Sequence, residues 1–173
     1  MWPALRNGDV VEALAAGAVG TVAASGSSQR ALDADIAEQV YVAGADGVRT
    51  ATVRDALTSV DRSRRLFRVE PGPVHDTADR AAEAFDLAAL ATAAQLLGAG
   101  ERILADSVTY VKQRKQFGRE IGSYQAIKHQ LADVRIALDF ARPLVLGAAL
   151  VPSDSSSAER ARAVSAAKVA CGD

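Results

Sequence analysis

The sequence predicts an α+β chain: a small, incomplete β-domain over residues 1–73, followed by an antiparallel helical bundle over residues 74–173. Three observations carry this. The first 70 residues are broken repeatedly by glycine and hold only short apolar runs. Pro71-Gly72-Pro73 is a strong local break, because each proline restricts its predecessor to extended geometry. After it, apolar residues recur at three- and four-residue intervals, the period of a helix face.

In the first part, Val19-Gly20-Thr21-Val22-Ala23-Ala24, Val40-Tyr41-Val42-Ala43, Val48–Val53 and Leu66–Val69 read as short strands between turns. Ser25–Asp35 is small and polar and reads as a loop. Gly44-Ala45-Asp46-Gly47 reads as a hairpin turn, since no phosphate-loop pattern follows a strand there. The domain boundary is expected at the Pro-Gly-Pro break.

In the second part, Asp79 to about Arg114 is interrupted only by Gly98 and Gly100. Leu90, Ala94, Leu97, Leu104, Val108 and Val111 fall largely on one face, so a helix of about 35 residues is expected, roughly 50 Å long. Gly122 and Ser123 open a second helix whose seam is Tyr124, Ile127, Leu131, Val134, Leu138, Ala141 and Val145. Pro143 should kink it or mark its last turns. Ser156-Ser157-Ala158-Glu159 has the spacing of a capping box opening a third helix through Cys171. No terminator follows before Asp173, so the natural sequence is expected to continue.

Composition narrows the function classes. Twenty basic against 21 acidic residues leave a net charge of −1, which offers no general attraction to nucleic acid or to an anionic membrane. Any anion site must be local. One cysteine, Cys171, gives no internal disulfide and no cysteine-cluster metal site, and His75 and His129 lack ligand spacing, so no metal site is expected. The Leu87–Gly100 stretch is too short to span a bilayer, and residues 1–20 lack a signal-peptide pattern. A cytoplasmic, membrane-free protein is expected.

The most informative stretch runs from Arg114 to Asp133. Arg114 offers a planar fork suited to phosphate oxygens, Gln116 and Gln125 add neutral hydrogen-bonding groups, and Phe117 supplies a flat apolar face. The set suits a dinucleotide. A plainer reading makes Lys112, Arg114 and Lys115 partners of a helix C-terminus and Phe117 a cover for the turn. His129 and Asp133 share a helix face, but no nucleophile accompanies them and they read as polar surface.

The run Arg114-Lys115-Gln116-Phe117-Gly118 resembles the Arg-x-Gln-Phe-Gly signature of the acyl-CoA dehydrogenase family's C-terminal domain. The likeness covers about Phe85 to Cys171. A weaker one covers Val40 to Val69, where Tyr41-Val42-Ala43-Gly44 and Asp61-Arg62-Ser63-Arg64-Arg65 are similar to the end of the family's middle β-domain. The resemblance implies that Arg114, Gln116, Phe117 and Gln125 contact a flavin adenine dinucleotide (FAD) held mainly by a neighbouring subunit. It also implies departures. Asp86 matches an aspartate two residues before the catalytic glutamate of one branch, and that base position is Ala88, followed by Ala89. A second branch carries its glutamate beyond the residues present. Glu83 and Glu101 match neither base and read as solvated, so no catalytic residue is assigned.

The family's isoalloxazine-holding segment, rich in Thr, Ser and Trp, is not found, and Trp2 is out of place for that role. The implied protein is therefore a non-catalytic subunit of the heteromeric, heterotetrameric actinobacterial type that acts on acyl-CoA thioesters of steroid side chains. Its partner would be a homologous subunit carrying the base and most of the FAD site. Two alternatives stand beside it: a structural helical oligomerisation module without cofactor, and an active homotetrameric dehydrogenase with further segments.

Overall fold

The computed structural model describes residues 8–25, 29–152 and 154–172; Trp2 lies outside them. The chain forms two compact units that divide between Phe85 and Asp86.

The first unit opens with a helix, α1 (Gly8–Ala15), in a part expected to be a small β-domain. Glu12, Ala13, Leu14 and Ala15 are good helix formers, and Leu14 packs on the core of Tyr41, Val48 and Ala81, which outweighs the flanking glycines. Five strands follow: β1 (Gly20–Ala24), β2 (Arg30–Leu32), β3 (Gln39–Gly44), β4 (Gly47–Leu57) and β5 (Leu66–Asp76). They form one sheet in the order β1-β3-β4-β5-β2. Only β1 and β3 are parallel; the other pairs run antiparallel. The edge strands β1 and β2 approach one another, so the sheet curls around Ala23, Ala31, Ala34, Val42 and Val69.

Three expectations change here. Ser25–Asp35 is not all loop, because β2 lies within it, held by its pairing to β5 and by the fully buried Ala31. The strands are not all short, since β4 and β5 each have 11 residues. And β5 runs through Pro71-Gly72-Pro73, with Pro71 opposite Ala51. The ladder register slips between Arg49 and Ala51, and such irregular ladder positions tolerate residues without an N–H. Arg49 Nη1 donates to the Gly72 carbonyl at 3.2 Å, holding the strand across the slip.

A single helix, α2 (Ala78–Gln113), spans 36 residues and contains the division between the units. In the second unit it is followed by a two-residue hairpin, β6 (Lys115–Gln116) and β7 (Arg119–Glu120), a 3-10 turn at Ile121–Ser123, α3 (Gln125–Ala149) and α4 (Ser157–Gly172). Ala93 and Leu97 of α2, Ala141, Val145 and Ala148 of α3, and Val164 and Ala167 of α4 make the core. The expected seam is shifted: Ala93 is buried where Ala94 is exposed, and Val134 is 46% exposed. Pro143 lies inside α3, within two turns of its end. Ser156 Oγ accepts from the Glu159 amide at 3.2 Å, which is the N-cap half of the expected box. Glu83 and Glu101 are not simply solvated. Glu83 pairs with Arg80 at 3.0 Å, and Glu101 accepts a hydrogen bond from Arg142, tying α2 to α3.

Candidate functional site

The hairpin between α2 and α3 is fixed at three points. The Ile121 amide donates to the Arg114 carbonyl at 2.9 Å, closing the loop on the end of α2. Gly122 lies against α2 so closely that an added Cβ would sit 3.0 Å from the Val111 carbonyl oxygen and 3.1 Å from its Cγ2. Tyr124 is the third. The sequence places it in the α3 seam, yet it is the N-cap, extended at φ −74° and ψ 132°, and its hydroxyl donates to the Gln116 carbonyl at 3.3 Å. The Arg119 guanidinium stacks 3.9 Å above the Tyr124 ring. Neither role is visible in the residue pattern alone; the turn signal Gly122-Ser123 immediately before Tyr124 is the one clue that the helix starts later.

The hairpin tip is Phe117-Gly118, with φ 52° and 81°. Two residues at positive φ are what a tight two-residue hairpin requires, but the first is usually Asn, Asp or Gly. Phenylalanine in this region is uncommon and strained. Phe117 is also 91% exposed, so no contact among the described residues accounts for holding an aromatic ring there.

The other expected residues gather around this tip. Arg114 lies just after α2, Gln116 in β6, and Gln125 at the first position of α3. All three side chains are exposed and make no hydrogen bond or ion pair with a described residue. One short segment therefore presents a guanidinium fork, two free amides and a flat ring. That donor set fits the pyrophosphate and ring system of a dinucleotide. His129 and Asp133 sit on the exposed surface of α3, as read from the sequence.

At the position of interest in α2, Ala88 is half-buried and its carbonyl accepts from Thr92 Oγ1 at 2.7 Å. Asp86, half-buried one half-turn earlier, has its carboxyl pushed up by burial, with Arg160 pulling it partly back. Among the described residues, no group of three or more His, Cys, Asp or Glu could hold a metal ion, and no helix is long and apolar enough to cross a membrane.

The acyl-CoA dehydrogenase C-terminal domain matches residues 78–173. The chain belongs to the acyl-CoA dehydrogenase family. Among curated proteins it is 40% identical over 154 residues to acyl-CoA dehydrogenase IpdE2 of Mycolicibacterium smegmatis, a match covering 86% of this chain and 48% of the relative. It is 36% identical over 139 residues to IpdE2 of Mycobacterium tuberculosis, covering 79% of this chain and 43% of the relative. The chain thus spans about half the length of the curated relatives it matches. Among solved structures, the Tcur3481-Tcur3483 steroid ACAD aligns with a TM-score of 0.68 at 23% identity, over 87% of this chain and 47% of that one. At that identity the likeness speaks for the fold, and it agrees with the α+β class expected.

Proposed function

We propose that this chain is a non-catalytic subunit of a flavin-dependent, heteromeric acyl-CoA dehydrogenase, and that it completes an FAD site shared with a homologous partner. The observation that carries this is the strained, exposed Phe117 at the tip of a hairpin otherwise pinned by Ile121, Gly122 and Tyr124. Backbone strain persists where the surroundings hold it, and it concentrates at ligand contacts. Arg114 would meet the pyrophosphate, Gln116 and Gln125 would add hydrogen bonds, and Phe117 would cover a ring.

When bound, a flavin accepts the hydride that leaves the β-carbon of an acyl thioester. The α-proton needs a carboxylate base. This chain has a methyl group at Ala88, and Glu83 and Glu101, the glutamates on the same helix, are engaged by arginines. The partner would therefore supply the base, and this chain's contribution would be to bind and orient. Fixing charge around the pyrophosphate favours affinity over the chemical step. An acyl-CoA with a steroid side chain is the substrate class we favour, because a steroid enzyme is among the folds that align.

The test is Arg114→Ala in the complex that co-purifies with the chain. Loss of the yellow flavin spectrum with subunit assembly retained supports the reading. A colourless wild-type chain that self-associates, or a variant that keeps its flavin, leaves a structural module as the better account.

A further inference from the structure

On the sheet of the first unit, two arginines face each other across β2 and β5. The register places Arg30 directly opposite Arg68. The neighbouring pair, Ala31 and Phe67, turns into the core, so both arginines lie on the other face, and both are exposed. The Val69 amide donates to the Gln29 carbonyl at 3.0 Å, which makes those two the bonded pair. Arg30 and Arg68 therefore fall at a non-hydrogen-bonded position, where opposite side chains approach most closely.

Like charges directly opposite in a ladder are destabilising. Among the described residues nothing offsets them: neither Arg30 nor Arg68 makes a hydrogen bond or ion pair with one of these. On the far side of β5, Arg54 extends the row, but Glu70 already accepts from its Nε at 2.7 Å. Asp55, the other residue at the ladder irregularity there, pairs with none of the three. The result is two arginines without a partner among the described residues, their backbones held opposite one another by register, with the Arg54–Glu70 pair beside them. Planar forks held close together match the oxygens of phosphate, which they bind in bidentate fashion.

We propose that Arg30 and Arg68, flanked by Arg54, bind a phosphate oxyanion, either free or at the diphosphate end of a coenzyme. The site shares no residue with the hairpin around Phe117 and stands or falls without the flavin reading.

The experiment is thermal unfolding of the full chain at constant ionic strength, with sodium chloride replaced stepwise by pyrophosphate or by coenzyme A. Wild type should show a saturable rise in midpoint. Arg68→Thr should melt no lower than wild type without the anion, because the repulsion is gone, and should lose the response. Arg30→Thr, on an edge strand, carries the same comparison if the first variant folds poorly. A rise at lower coenzyme A than pyrophosphate concentration assigns the ligand to the coenzyme; equal potency assigns it to the free anion; both support the site. Identical wild-type midpoints in pyrophosphate and chloride, or a response kept by both variants, overturns it.

Discussion

Replacing Phe117 by glycine separates the stability of this chain from its proposed role. At φ 52° the phenylalanine Cβ crowds its own backbone, a strain of about 1–2 kcal/mol for an L-residue in the left-handed region. Glycine removes that strain but loses about 0.5–1 kcal/mol more conformational freedom on folding. The ring is 91% exposed, so no packing is lost. The balance predicts Phe117→Gly unchanged or more stable by up to about 1.5 kcal/mol, or at most roughly 3–6 °C in midpoint. Flavin binding should move the other way. If Phe117 is covered by the cofactor, its loss removes about 1.5–3 kcal/mol of apolar burial, which is roughly a ten- to hundredfold weaker Kd. Thermal denaturation of the variant and flavin titration of the complex read the two quantities. A chain destabilised by more than about 1 kcal/mol, or an unchanged flavin affinity, would refute the reasoning.

Gly122→Ala should cost about 1–3 kcal/mol, because the new Cβ meets the Val111 carbonyl at 3.0 Å and helix backbone cannot yield as a side chain would; a melting point within a degree of wild type would count against that close approach. Asp86→Asn tests the electrostatics of α2. Burial raises the folded carboxyl above its unfolded value, so ionising it costs stability as pH rises through the folded value. The variant should match wild type below the unfolded aspartate range and exceed it at neutral pH, as followed by melting point against pH. A wild type that gains on the variant as pH rises would reverse the sign.

The helices were the most legible part of the sequence. A 3,4 pattern broken only by Gly98 and Gly100 places α2 within a residue of its observed limits, and the Ser156 cap sets the start of α4. The β-domain was harder. Residues 30–32 read as loop because a three-residue strand has no periodicity of its own; its pairing with β5 makes it a strand. Pro71-Gly72-Pro73 reads as a boundary by local rules, yet a slipped ladder accommodates it. At the candidate site, the residue types at 114, 116, 117 and 125 were legible as a set suited to a dinucleotide, and the fold gathers them around one hairpin. What the sequence hid was geometry: the left-handed Phe117, the Arg119 stack on Tyr124, and the contact that confines position 122 to glycine.

The core of the helical unit has a thermal consequence. Its buried side chains are four alanines, two valines and one leucine, while Ile103, Phe140 and Leu150 stay more than half exposed. Heat capacity on unfolding rises with newly wetted apolar area, commonly about 12–15 cal/mol/K per residue. A bundle that hides so little has a smaller increment, and its free energy varies gently with temperature. Cold should weaken it little, and calorimetry should record a broad, low-curvature stability profile for residues 86–172.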